Sequence, residues 1–165
     1  MDHASKDAKP IFFALCTANA CRSQMAEALA RYKWPQLDCY SAGVKPGLQV
    51  DPNALIVLKE IGIDHSTSYN KTIEDAEKLF PTKEKVALVL TVCDNAANEC
   101  PTYLRSKAYV HHAFRDPPRI AQEHPDNDPL IYYREVSKRL EWYCSVSSSR
   151  IRGEHKLTVS YIIPF

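Results

Sequence analysis

Apolar and polar positions change period several times along the chain, and each change marks an element. IFFALC at 11–16 is a continuous apolar run of strand length. Polar turn residues follow, and then Met25, Ala26, Leu29 and Tyr32 recur at helical spacing, so the reading is strand, loop, helix. LDCYS at 37–41 alternates as a second strand. Asp51-Pro52 offers an N-cap and a first-turn proline for a helix with Ala54, Val57, Leu58 and Ile61 on one face. KVALVLTV at 85–92 is the most strand-like stretch, unbroken as in a strand covered on both faces, and AYVHHAF at 108–114 is a weaker fourth. After Asp128-Pro129, Tyr133, Val136, Leu140 and Tyr143 predict a closing amphipathic helix. The alternation predicts an α/β fold with a four-stranded, mainly parallel sheet flanked by helices in three layers.

A chain of 165 residues that is 45% hydrophobic can bury one core, so a single domain is expected over 10–144. A flexible N-terminus, 1–9, precedes it. The stretch 145–165 opens as a serine-rich linker and ends in a β-prone apolar piece to which no role is assigned. A formal charge of +1 gives no overall pull toward nucleic acid or anionic lipid, so any preference for anions must be local. No apolar run is long enough to span a bilayer, and the opening MDHASKDAKP lacks the apolar core of a signal peptide; a cytoplasmic, monomeric protein is expected. In a reducing compartment the six cysteines read as buried, metal-binding or catalytic rather than as a disulfide framework.

The informative segment is Cys16-Thr17-Ala18-Asn19-Ala20-Cys21-Arg22-Ser23, between the first strand and the first helix. A loop entering a helix aims unpaired backbone N–H groups at one point, where the helix dipole adds partial positive charge, and so suits a tetrahedral oxyanion. Arg22 adds a planar fork for two anion oxygens. A thiol at the mouth of such a nest is expected to have a lowered pKa and to stand as a thiolate, with Ser23 able to hydrogen-bond it. By spacing alone, Cys16 could equally be a buried strand-end cysteine and Arg22 a surface residue. Cys21 reads as a packed residue pointing away from the anion.

LCTANACRSQMAEALAR resembles the opening of the thioredoxin-coupled arsenate reductases, which share the low-molecular-weight protein tyrosine phosphatase fold. YSAGV at 40–44, LKEIGID at 58–64, TVCDNAANECP at 91–101 and FRDPP at 114–118 continue the likeness in order, over about residues 10–143. The resemblance implies that Cys16 attacks arsenate, Cys93 then attacks the Cys16 sulfur as arsenite leaves, and Cys100 attacks Cys93. The resulting Cys93–Cys100 disulfide is passed to thioredoxin, with glutaredoxin the alternative donor, and no bound cofactor is needed. Cys93 follows the strongest strand, where active sites of open α/β sheets gather, and the polar DNAANE between the two cysteines is suited to moving. The residues themselves leave two other readings open: packed cysteines, or a zinc site with His111 and His112, the latter poorly matched in spacing. Cys39 and Cys144 read as packing residues.

The resemblance also makes Asp116 the general acid, although two other Asp-Pro pairs in the chain look like plain helix caps. Asn19 is expected to hold the loop in a left-handed conformation. Ser41 and Glu27 match positions that help hold potassium in some members. Lys71 falls where those carry an acidic residue, so an ammonium would stand in for the ion and no metal is expected. Ala18 replaces a usual glycine and would strain the loop if a positive φ were required; His112 replaces a common tryptophan. Two rivals use the same loop: a tyrosine phosphatase, for which Pro118 stands where an aromatic residue is usual, and a non-catalytic oxyanion-binding protein.

Overall fold

The computed structural model describes residues 7–151. Its sheet is wholly parallel, in the order β2-β1-β3-β4, with β1 at Ile11–Cys16, β2 at Asp38–Gly43, β3 at Val86–Thr91 and β4 at Tyr109–His111. β1 is paired on both sides and buried at every position, which is why its sequence is a run and not an alternation. β4 is shorter than the 108–114 predicted. Beyond it the chain still follows β3, His112 N–H donating to Thr91 O (2.9 Å) and Phe114 N–H to Val92 O (3.0 Å).

The chain winds outward from β1 to β2, then returns past β1 to β3 and β4. The switch point therefore lies between the C-terminal ends of β1 and β3, where a crevice forms in open parallel sheets. Cys16 ends β1 and Cys93 follows β3 by two residues.

α1 (Arg22–Lys33) lies against β1 and β2, and α7 (Leu130–Ile151) packs on α1, α2 (Pro52–Glu60) and α6 (Pro117–Glu123). α3 (Ile73–Glu77) covers β2, and α4 (Asp94–Glu99) sits on β1 and β3; α5 (Thr102–Arg105) follows directly. Phe12 meets Trp34 edge-on at 5.4 Å, and Phe13 meets Phe80 likewise at 5.1 Å, joining the sheet to its covering layers. Asp51 caps α2 by accepting from Asn53 N–H (2.9 Å), and Asp128 accepts from Leu130 N–H (3.0 Å), as their Asp-Pro contexts predict.

One expectation changes, and one segment left without a form acquires it. Residues 145–151 are not a linker but the last turns of α7. Serine costs a helix only a few tenths of a kcal/mol, and Ser145 turns its hydroxyl back to Glu141 O at 2.9 Å. DNAANE is a helix, α4, with Asp94 placed in its first turn where a negative charge suits the dipole. The flexibility expected of 1–9 and the β-prone end expected of 145–165 fall, at 1–6 and 152–165, outside the described residues.

Candidate active site

Between β1 and α1 the chain turns through residues 17–21 with its carbonyls occupied from outside. Val44 N–H donates to Cys16 O (3.1 Å), Lys45 N–H to Thr17 O (2.9 Å), Gly47 N–H to Ala18 O (2.8 Å) and Asp51 N–H to Ala20 O (2.7 Å). Gln24 Nε2 donates to Asn19 O (3.0 Å). With the carbonyls drawn outward, the loop amides are left for the interior, and Asn19 N–H donates to Cys16 Sγ at 3.0 Å.

Asn19 is in the left-handed region at φ 52, as expected, and is fully buried. Its Nδ2 donates to Ser23 Oγ (2.8 Å) and Ser41 Oγ (2.9 Å), while its Oδ1 accepts from Lys71 N–H (3.0 Å) and Gln24 Nε2 (3.1 Å). Ala18 does not share the positive φ, so the strain expected of it does not arise. The close approach falls elsewhere: a Cβ on Gly43 would stand 2.6 Å from Thr17 O and 2.9 Å from Asn19 N. YSAGV carried that signal, but its partner in space was not readable from its neighbours in sequence.

Ser23 Oγ lies 2.8 Å from Cys16 Sγ. Because Asn19 donates to that oxygen, the serine hydrogen is available to the sulfur. The expected thiolate is nevertheless corrected. Burial pushes the Cys16 thiol above its ordinary value, and the hydrogen bonds from Ser23 and Asn19 N–H, which pull it down, offset only part of that; the nearby Cys93 raises it further. Cys21 packs its sulfur 3.8 Å from Met25 Sδ, as a packed residue should. Cys39 and Cys144 are buried and pushed up to about 12 by burial.

Arg22 donates through Nη1 to Phe114 O (2.9 Å) and places Nη2 3.6 Å from Asp116 Oδ1. Asp116 occupies the N-cap position of α6 but makes no capping bond with its side chain, which is 40% exposed. Unlike Asp51 and Asp128, it turns its carboxylate toward Arg22 and not to a helix cap. His112 keeps an aromatic role in place of tryptophan, edge-on to Phe114 at 4.4 Å.

Cys93 is buried at the N-cap of α4, and its Sγ lies 3.4 Å from Thr17 Oγ1, the hydroxyl directly after Cys16. Asn95 Nδ2 donates to the same hydroxyl (3.2 Å). Cys100 is at the other end of α4. The structure thus brings Cys16, Arg22, Ser23, Asp116 and Cys93 to one rim and holds Cys100 away from it.

Behind the loop is a buried polar collar. Ser41 Oγ donates to Glu27 Oε1 (3.3 Å), and Lys71 Nζ stands 3.9 Å from the same oxygen while donating to Tyr69 O (3.1 Å). Burial pushes the Glu27 carboxyl up and the Lys71 ammonium down, and their mutual attraction opposes both shifts. His65, lowered to about 4 chiefly by burial, is neutral and donates to Gln24 Oε1 (2.8 Å). Gln24 and His65 are 41 positions apart, and no local pattern linked them. Among the described residues, no three His, Cys, Asp or Glu side chains are grouped to hold a metal, and no helix is long and apolar enough to cross a membrane.

A loop of this kind at the switch point of a 2-1-3-4 parallel sheet, with an arginine, a serine and a loop aspartate around one thiol, defines a cysteine-dependent oxyanion site. Residues 11–152 match the family described as low molecular weight phosphotyrosine protein phosphatase, and the chain belongs to that family. The match runs past residue 143, where the resemblance in sequence had stopped being legible. Among curated relatives, the arsenate reductase of Halalkalibacterium halodurans is 39% identical over 140 residues, 82% of this chain and 95% of that one. Among solved structures, an arsenate reductase in the phosphate-binding state superposes with TM-score 0.68 at 23% identity, over 87% of this chain and 98% of the other. A thioredoxin-dependent arsenate reductase of Corynebacterium glutamicum gives 0.64 at 22% identity, over 92% and 68%.

Proposed function

We propose that this protein is an arsenate reductase in which Cys16, Cys93 and Cys100 act in turn, drawing electrons from thioredoxin. The observation that carries the reductase over a plain phosphatase is the 3.4 Å contact between Cys93 Sγ and Thr17 Oγ1, which puts a second buried thiol at the mouth of the oxyanion loop. Ester hydrolysis has no use for that thiol. Seated among the loop amides and Arg22, a hydrogen arsenate dianion meets the Cys16 sulfur. The S–As bond forms, the As–OH bond breaks, and the one proton the thiol loses is handed through Asp116 to the departing hydroxyl, which leaves as water. A dianion brings its own basic oxygens, so a neutral Cys16 thiol is no bar: its proton passes to the substrate as the bond forms.

Cys93 then attacks Cys16 Sγ. The S–As electron pair leaves with arsenic, arsenic is reduced from the pentavalent to the trivalent state, and the Cys93 proton goes to the arsenite released. Cys100 attacks Cys93 next, freeing Cys16 as a thiol and leaving the Cys93–Cys100 disulfide for thioredoxin to reduce. Curated relatives named as arsenate reductases and a thioredoxin-dependent structural neighbour support this assignment.

The same loop with Asp116 is sufficient for hydrolysis of a phosphate ester, and the family's phosphatase name favours that as a side activity. Cys93→Ser separates the two. Arsenate reduction is expected to fall to background while hydrolysis of p-nitrophenyl phosphate stays within about twofold of the parent, in keeping with the small effect of a substitution outside the reacting groups. Equal loss, or equal retention, of both activities would remove the relay.

A further inference from the structure

Cys93 and Cys100 bracket α4, the first as N-cap and the second as C-cap. At the helical rise, residues seven apart are separated by about 10 Å. A disulfide tolerates a Cα separation of no more than about 7 Å. The relay therefore cannot finish while α4 is wound, and whatever holds α4 wound controls its last step.

The N-terminal end of α4 is tied to the active site. Asn95 bonds Thr17 (3.2 Å), and Asp94 meets His111 Nε2 (3.0 Å), whose Nδ1 lies 2.9 Å from Thr91 Oγ1. These bonds keep Cys93 at the loop, where it must attack Cys16. The C-terminal end is held differently. Arg105 reaches back from α5, donating through Nη2 to Ala97 O and to Asn98 O (3.3 Å), and through Nε to Cys100 O (3.2 Å). One guanidinium thus takes three carbonyls around the end of the helix, the groups that a short helix leaves unsatisfied.

The arm is mounted on a fixed post. Leu104 is buried in the core, and Tyr103 donates its hydroxyl to Glu77 of α3, a carboxylate that Lys83 also holds at 2.8 Å. α4 buries only Ala96 among its six residues and α5 only Leu104 among its four, so what sets α5 apart is its tie to Glu77. At this end α5 holds α4 through the Arg105 side chain.

We propose that Arg105 is the latch of the relay: a positioning residue that keeps α4 wound and Cys100 apart from Cys93 until the Cys16–Cys93 disulfide has formed. This rests on the relay proposed above. Release of the three carbonyls lets α4 unwind from its C-terminal end, so that Cys100 swings to Cys93, the Cys93–Cys100 bond forms, and the Cys16–Cys93 bond breaks with its electron pair on Cys16. The same guanidinium lies beside the Cys100 thiol, whose burial raises its pKa and whose arginine neighbour lowers it. Arginine and lysine are not equivalent here, since only the fork spans three oxygens.

The test uses full-length Cys16→Ser protein, with and without Arg105→Ala, equilibrated in mixtures of reduced and oxidised glutathione. Two thiols become a disulfide while one oxidised glutathione takes the two electrons and becomes two reduced ones. The Cys93–Cys100 pair is read by mass spectrometry, and amide exchange of residues 97–100 is followed on the reduced proteins. Removing the latch is expected to shift the equilibrium about tenfold toward the disulfide, and to speed those amides by a similar factor, as loss of charge-assisted bonds to the helix end should. Exchange in β1 and β3 is expected to stay as it was, and Arg105→Lys to fall between. A disulfide that forms equally readily with and without Arg105 overturns the latch and leaves the relay standing. A pair that forms at no glutathione ratio in either protein overturns the relay, and the latch with it.

Discussion

The oxyanion loop and the relay segment touch at Thr17, yet they are held in opposite ways. The loop's carbonyls are bonded to residues between 24 and 70, and its Asn19 is bonded on every polar side-chain atom. The relay segment is a helix of six residues, attached through partly exposed side chains and one arginine arm. Stability is thereby distributed to suit the chemistry. A site that stabilises developing charge works best when its donors are fixed beforehand. A segment that must exchange sulfur partners has to come from the weakly held end of the molecule. The contrast can be broken from either side, and the loop offers the larger effects.

Gly43→Ala is the most damaging change expected outside the reacting groups. Its Cβ would lie 2.6 Å from Thr17 O and 2.9 Å from Asn19 N, both backbone atoms without a flexible end to swing away. The loop must shift by several tenths of an ångström. A shift of that order is expected to lower kcat/KM about a hundredfold for arsenate reduction and for p-nitrophenyl phosphate hydrolysis alike. Steady-state kinetics on both substrates, with circular dichroism to confirm folding, measures it. Full activity in a folded variant would mean that the loop tolerates movement and that the contrast with α4 is false.

Ser23→Ala acts on the sulfur and leaves the backbone in place. In the parent, burial holds the Cys16 thiol above its ordinary value and Ser23 is the strongest influence in the opposite direction. The sign follows: a raised pKa leaves the neutral thiol dominant at neutral pH, so alkylation by iodoacetamide quickens as pH rises. Without the hydroxyl the pKa rises further, and the whole profile moves to higher pH. Loss of a bond to a charged sulfur is expected to slow alkylation at pH 7 about tenfold, followed by mass spectrometry of the Cys16 peptide. An unshifted profile would show that Ser23 serves the loop's shape alone.

The same division explains what could be read from sequence. β1 and β3 were legible as unbroken apolar runs and α2 and α7 by an apolar face set by the core they pack on. α1 was legible too, although it is buried from Ser23 to Ala30 and the Tyr32 read on its apolar face is exposed. Cys16, Arg22 and Asn19 were legible because a strand-loop-helix junction constrains its residues locally. α3 to α6 are one or two turns long, too short for a period to show. Asp116 could not be told from a helix cap by its Asp-Pro context; the distinction lies in a capping bond it does not make. Gly43 and His65 were missed as parts of the site because their reasons are partners 24 to 41 positions away, and Gln24 because its bonds to Asn19, five positions off, depend on a loop conformation that no periodicity shows. The thiolate expected at Cys16 failed since a sequence shows the dipole and the arginine but not the depth at which the sulfur is buried.

The smallest effect expected is none at all, and it tests whether the loop's support is self-contained. Glu27 is already faced by Lys71 Nζ at 3.9 Å and by Arg31 Nη2 at 3.5 Å, and Lys71 also takes Tyr69 O. A potassium ion among these groups would meet an ammonium where it needs oxygen, so the residues present do not fit one. Turnover of arsenate at constant ionic strength should therefore be the same, within about 20%, in potassium and in tetramethylammonium chloride, an effect no larger than ordinary salt screening of exposed charges. Lys71→Asp exchanges the built-in cation for another carboxylate beside Glu27, two like charges that burial would not allow to stay ionised together. That variant should lose activity and regain part of it with potassium alone. A parent enzyme that responds to potassium, or a variant that does not, would show that the collar does not end at Lys71 and that the loop borrows its rigidity from solvent ions.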